Sequence, residues 1–283
     1  MMAAAARWPR FDPAAPRVHP QSDGGRDVIS THSHLRRMLR QRVDPSTATG
    51  LALSVAVVLV VASVVGVGLL LVMAQHDAGL ARYDLAISRW GTDHATSTST
   101  SFLKAVSNLG GTIGVVTVAV VVAALEFRRS RTRAVLALIA VVVSGQFLAT
   151  YLIKSAVGRP RPDIHRLTGF SGSSFPSGHA AAAAATYAVV ALLLGRHRRR
   201  SVQAALASAA VAIAVAVAAT RVLLGVHWFT DVLAGLAVGW AWFALCSIAF
   251  GGRLLQFGEP VAEAEMVALD ARSAIGATSE PGP

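Results

Sequence analysis

The sequence predicts an all-α integral membrane protein, a bundle of six transmembrane helices. Three observations predict it. Hydrophobic residues make up 54% of the 283 residues and charged residues only 14%, too apolar a balance for a soluble chain of this size. The apolar residues gather into six runs separated by polar or charged connectors. Arginines concentrate in alternate connectors, the pattern expected when basic loops stay on the cytoplasmic side of a bilayer.

Taken in order, residues 1–50 are rich in Arg, Ala, Pro and Asp without helical periodicity, which predicts a disordered, basic cytoplasmic leader. The first run, Leu51 to Ala74, has 24 residues and no charge. As a helix it reaches roughly 36 Å, enough to cross hydrocarbon with some tilt and too long for the apolar core of a signal peptide. It reads as a retained anchor. The second run, from about Ala105 to Leu125, opens on the small residues Ser107, Asn108, Gly110 and Gly111 before a valine-rich stretch. The third (Ala134 to Ile153), fourth (Ala180 to Gly195) and fifth (Ser201 to Thr220) contain no Asp, Glu, Lys or Arg, and the sixth covers about Val232 to Gly252. A charge near mid-membrane costs about 2.5–3.5 kcal/mol on insertion scales, so these are spans joined by loops. The six-span domain is therefore expected over residues 51–252, followed by a disordered cytoplasmic tail over 253–283.

Arg36, Arg37, Arg40 and Arg42 precede the first span; Arg128, Arg129, Arg131 and Arg133 join the second to the third; Arg196, Arg198, Arg199 and Arg200 join the fourth to the fifth. All three groups fall on one side, the cytoplasmic one, together with both termini. Topology thus accounts for the net charge of +11, and no nucleic-acid partner is expected. The lone cysteine, Cys246, excludes an intrachain disulfide and a cysteine-based metal site.

Charges in the opposite, extracytoplasmic connectors call for another explanation. Lys154 ends the third span and Arg161 follows it; Pro176, Ser177, Gly178 and His179 lead into the fourth; Arg221 ends the fifth; His227 and Asp231 lead into the sixth. Helix parity brings all of them to one membrane face, where three cations, two histidines and a carboxylate must be hydrated or paired. Such a set suits a phosphate ester. Lys154, Arg161 and Arg221 neutralise its oxygens, and Ser177 and Gly178 open a capped helix whose free N–H groups point at an anion. If the turn between His227 and Asp231 is helical, their spacing of four sets the carboxylate against the imidazole. Asp231 then fixes the tautomer, His227 is the nucleophile, and His179 remains as the general acid for the leaving oxygen.

These residues resemble the membrane-bound type 2 phosphatidic acid phosphatase superfamily, whose pattern has three blocks. Lys154 to Arg161-Pro162 is similar to its Lys, six residues, Arg-Pro block; Pro176 to His179 is its Pro-Ser-Gly-His block; Arg221, His227 and Asp231 stand in register with the third, with Thr220 in place of Ser. A second Arg-Pro pair, Arg159-Pro160, competes with Arg161, and the family spacing favours Arg161. The resemblance implies a metal-independent lipid phosphatase acting through a phosphohistidine, with no cofactor. Phosphatidic acid, phosphatidylglycerol phosphate and a polyprenyl diphosphate such as undecaprenyl diphosphate are all open as substrates. Transfer of the phosphoryl group to another lipid, or lipid binding or transport without catalysis, are the rival readings. An amphiphilic substrate is expected to enter between helices beside the connector from Gln75 to Thr100, with Leu80, Leu85, Ile87 and Trp90 at the interface.

Overall fold

A computed structural model describes residues 48–254, and the expected leader and tail lie outside them apart from their innermost residues. Among the described residues the chain is all-helical: α1 (Ala48–Gln75), a 3₁₀ turn (Gly79–Tyr83), α2 (Asp84–Asp93), α3 (Ser97–Asn108), α4 (Thr112–Ser130), α5 (Arg133–Val157), α6 (Gly178–Gly195), α7 (Arg200–Leu223) and α8 (Phe229–Leu254). Five of these are long and apolar enough to cross a membrane by themselves, and α3 with α4, bent by 46°, counts as a sixth when the pair is taken as one span. The six apolar runs thus correspond to six candidate crossings.

The second crossing departs from the sequence expectation. It starts earlier, at Ser97, where Thr96 and Ser99 exchange side-chain and backbone hydrogen bonds in a reciprocal cap. It then breaks between Asn108 and Thr112. The glycines in the break let it approach α6 and α7 closely, since a Cβ at Gly110 would fall 2.4 Å from Val217 and 2.8 Å from the His179 carbonyl oxygen. Breaking the ladder frees carbonyls, and the Tyr187 hydroxyl donates to one of them, that of Leu109, at 3.0 Å.

The core sits on α6. Ala180 to Ala185 are all buried, and the short side chains let neighbours come close. On α8, a Cβ at Gly235 would lie 2.5 Å from the Ser177 carbonyl oxygen, and one at Gly239 2.4 Å from that of Ala181. Gly235 and Gly239, one turn apart, form the stripe on which the two helices cross.

At one end of the bundle Glu126, near the end of α4, accepts from Arg196 at 2.5 Å and from Arg129 at 3.3 Å. The basic connectors after the second and fourth spans therefore meet, as the arginine pattern expects. At the other end α2 lies between the first two spans, with Leu80, Leu85 and Trp90 exposed nearby while Asp84, Ser88 and Gly91 are buried. Ile87 packs on the core instead of facing outward.

Candidate active site

The connectors after α5 and α7 converge where parity requires. Gly158, in the left-handed region at φ 63°, ends α5 and turns the chain so that Lys154 faces the following loop. The Lys154 ammonium donates to the Ser173 carbonyl at 2.6 Å and to that of Ser174 at 3.3 Å. The Arg161 guanidinium is wired into the same loop, through Nε to Gly172 (3.0 Å) and Nη2 to Ser171 (2.9 Å) and Ser173 (3.2 Å). Its Nη1 donates to the Val226 carbonyl at 2.6 Å and approaches His227 Nε2 at 3.1 Å.

That last contact fixes the imidazole chemistry. A guanidinium has only donors, so His227 Nε2 must accept and carries the free lone pair, while Nδ1 holds the proton. Nδ1 lies 3.4 Å from Asp231 Oδ2, so the proton points at the carboxylate. Asp231 is itself held on both oxygens: Arg159 donates to Oδ1 at 2.6 Å, and the Trp228 N–H (3.0 Å) and the Ser174 hydroxyl donate to Oδ2. Burial pushes the His227 imidazole down to about 4, the Asp231 contact opposing this and the positive Arg161 and Lys154 adding to it. The nitrogen facing Arg161 is therefore unprotonated near neutrality. Burial also lowers Arg161 from its ordinary value, Asp231 acting in the opposite direction.

The carboxylate meets the imidazole by a route different from the expected helix face. Helix α8 begins only at Phe229, so His227 lies before it and Asp231 is in its first turn, accepting from the Trp228 N–H. The two residues meet across a helix-capping turn, with the spacing of four spanning the cap.

Arg221 is buried and donates from Nη1 to the Ser107 hydroxyl at 2.7 Å. Its Nε has no hydrogen-bond partner among the described residues, an unspent donor at the site. His179, in the first turn of α6, stands within electrostatic reach of Arg221, His227, Arg161 and Lys154. A Cβ at Gly111, in the break of the second span, would be 3.6 Å from its Nε2. Ser177 caps α6, its Oγ accepting from the Ala180 N–H at 3.5 Å, and its own N–H donates to the Asp231 carbonyl at 2.9 Å. Space over Gly178 is open, since a Cβ there would meet no atom within 4 Å. Thr220 turns its hydroxyl to the Val217 carbonyl at 2.6 Å, within its own helix and away from the site.

Residues 133–254 match the PAP2 superfamily. Phosphatidylglycerophosphatase B of Bacillus subtilis is 31% identical over 179 residues, a match covering 62% of this chain and 88% of that protein. The chain belongs to the PAP2 superfamily. Among solved structures, a transmembrane PAP2-type phosphatidylglycerolphosphate phosphatase from Bacillus subtilis superposes with a TM-score of 0.64 at 28% identity, covering 70% of this chain and 98% of that one. Two lipid A 1-phosphatases, from Rhizobium etli and Rhizobium johnstonii, are 37% and 38% identical over 141 residues, 44% of this chain. The matches span 55% and 52% of those two proteins, about half their length.

In this PAP2 chain all eight site residues expected from sequence reach the same end of the bundle, and four more join them, of which the sequence offers only Arg159, as the rival of Arg161. Asp84 and Arg159 form a partly buried ion pair behind Asp231, Ser174 donates to that carboxylate, and Ser107 partners Arg221. The repeated Arg-Pro pair was the available signal for Arg159. The two arginines face different groups: Arg161 the His227 ring, Arg159 the carboxylates.

Proposed function

We propose that this protein is a membrane lipid phosphatase that works through a phosphohistidine. The observation that carries this reading is the unprotonated Nε2 of His227, backed through Nδ1 by Asp231 and faced by the Arg161 guanidinium at 3.1 Å. A phosphoryl group entering between them would meet a nucleophile on one side and charge-assisted donors on the other.

In this mechanism Lys154, Arg161 and Arg221 hold the phosphoryl oxygens, with the Gly178 N–H and the Ser177 hydroxyl at the start of α6 completing the cradle. His227 Nε2 attacks phosphorus and forms the N–P bond as the ester P–O bond breaks, and His179, which enters the step protonated because the bound phosphate offsets the cations around it, gives that proton to the departing oxygen. Water then attacks the phosphohistidine, losing its proton to His179, and frees inorganic phosphate and His227. Cationic side chains supply the charge stabilisation, so hydrolysis should proceed in the presence of a chelator.

An apolar groove of about 330 Å³ supports a lipid substrate. It is lined by Val64 and Val67 of α1, Ala149 and Ile153 of α5, and Val238 and Leu245 of α8. Ile153 directly precedes Lys154, so a tail in this groove leaves its headgroup close to the cations. The phosphatase names of the relatives support the same class, and phosphatidic acid, phosphatidylglycerol phosphate, a lipid A 1-phosphate and a polyprenyl diphosphate all carry the required group. The basic connectors support an extracytoplasmic site with both termini in the cytoplasm.

The test is release of phosphate from that lipid panel by the full chain in detergent with chelator present. Wild type should turn over at least one member, and His227→Ala none. Full activity in His227→Ala would overturn the nucleophile assignment. Labelled phosphate appearing in a second lipid instead of water would identify a phosphotransferase.

A further inference from the structure

Helix α2 belongs to the connector between the first two spans, outside all three motif blocks, yet its buried face lies on the loop that carries His227. Along that face, Asp84 accepts from the Thr230 N–H at 2.9 Å and Ser88 donates to the His227 carbonyl at 3.5 Å. A Cβ at Gly91 would fall 2.7 Å from the Leu223 Cα, and one at Gly225 2.8 Å from Thr92. Residues 84, 88 and 91 recur at the spacing of one helix face, so α2 presents a single surface to residues 223–230.

The strongest contact is ionic. Arg159 splits its fork, giving Nη2 to Asp84 Oδ2 at 2.8 Å and Nη1 to Asp231 Oδ1 at 2.6 Å and to Thr230 Oγ1 at 2.8 Å. Asp84 also accepts from the Thr230 hydroxyl at 2.7 Å, and so caps the first turn of α8 from another helix. Asp84 and Asp231 are both buried, and Arg159 is the cation between them. A partly buried guanidinium shared by two carboxylates holds each at a fixed angle, because its donors are planar and rigid.

We propose that Asp84 is a positioning residue: through Arg159 and the first turn of α8 it sets the Asp231 carboxylate that orients His227 for attack. This rests on the phosphohistidine reading above. Asp231 divides its work, Oδ1 toward Arg159 and Oδ2 toward Ser174, Trp228 and the imidazole. Losing the Oδ1 anchor lets the carboxylate rotate and withdraw Oδ2 from His227 Nδ1. The three cations assigned to phosphate make no hydrogen bond to Asp84 or Arg159 among the described residues, so anion binding is a separate property of the site.

The test uses the full chain in detergent with Asp84→Asn, Arg159→Gln and the double variant, beside Asp93→Asn on the exposed end of α2. Asp84→Asn keeps an acceptor for the Thr230 N–H but removes the charge and replaces the oxygen facing Arg159 with a donor. Each single variant should lower kcat on a lipid phosphate by roughly 10- to 100-fold, the range seen when a supporting partner is lost. Inhibition by vanadate should stay within about twofold of wild type, the double variant should be no slower than the worse single one, and Asp93→Asn should behave as wild type.

A second readout needs no turnover: the NMR titration of His227 in histidine-labelled protein, assigned by its loss in His227→Gln. The ring faces Asp231, Arg161 and Lys154, and of these only Asp231 raises its titration. Withdrawal of the carboxylate should therefore move the titration downward in Arg159→Gln. Unchanged kcat and an unmoved titration, or loss of vanadate inhibition in parallel with kcat, would reduce the network to a structural staple and overturn the proposal. A wild type that hydrolyses no lipid phosphate, in which Arg159→Gln still shifts His227, would instead sink the phosphatase reading and leave this one standing.

Discussion

Replacing Arg161 with alanine separates the two neighbouring arginines by function. Arg161 Nη1 stands 3.1 Å from the lone pair proposed to attack phosphorus, whereas Arg159 is bound to Asp84 and Asp231. A phosphoryl group docking at His227 exchanges the Nη1 contact for charge-assisted bonds to its own oxygens. Hydrogen bonds to charged groups are worth about 1.5–3 kcal/mol each, and loss of one donor to a developing oxyanion costs about 2.7–4 kcal/mol. Arg161→Ala should therefore lower kcat/KM by roughly 100- to 1000-fold and weaken vanadate inhibition by a similar factor. Arg161→Lys keeps the charge but loses the planar fork, and should fall between the two. The assay is phosphate release from a lipid phosphate over a vanadate series, with Arg159→Gln measured alongside. Retained vanadate affinity in Arg161→Ala, with affinity lost in Arg159→Gln, would refute the assignment of phosphate to Arg161.

His227 should stay neutral down to about pH 4, because burial lowers its imidazole. The unfolded chain binds that proton near 6.5 and the folded one only near 4, so stability drains as pH falls through this window, by about 3 kcal/mol in total. His227→Gln should lose correspondingly less melting temperature than wild type between pH 7 and 4, and an equal loss would contradict the burial. Glu126→Gln leaves Arg196 without its partner at the basic end of the bundle. It should cost about 3 kcal/mol of stability in thermal unfolding while leaving kcat unchanged. For sidedness, a cysteine replacing the exposed Asp163 should be labelled in intact cells by a membrane-impermeant maleimide, and one replacing Arg131 only after lysis. The reverse pattern would invert the topology.

What could be read from the sequence was whatever rests on local runs and fixed spacing. The apolar runs, the arginine parity and the residues from Lys154 to Asp231 all fall in this class, because a span needs about 20 uncharged residues and helix parity then dictates the side. Four features stayed hidden because they depend on which distant elements touch. Asp84 is an ordinary acid in a polar connector until α2 lies on the His227 loop, 146 residues away from its partner Thr230. Ser107 reads as one small residue among several until the second span breaks and brings it to Arg221. Glu126 looks like a span-end charge, and only the meeting of two loops gives it Arg196. The break between Asn108 and Thr112 is foreshadowed by two glycines, but its reason, close approach to His179 and Val217, lies in other helices.

Packing and chemistry meet at the crossing of α6 and α8. The Ser177 N–H reaches the Asp231 carbonyl at 2.9 Å only because Gly235, one turn further along α8, lets the backbones touch. That bond joins the Pro-Ser-Gly-His block to the His-Asp block, so a side chain at Gly235 should spread both halves of the site. Gly235→Val must displace the Ser177 carbonyl from 2.5 Å, which a backbone atom does not yield cheaply. Gly239→Val meets an equally close carbonyl, that of Ala181, but two turns from Asp231. Both variants should lower the melting temperature, and Gly235→Val should lose more kcat than Gly239→Val at matched stability. Equal losses would mean that the crossing supports the fold alone, and that the blocks are aligned by their loops.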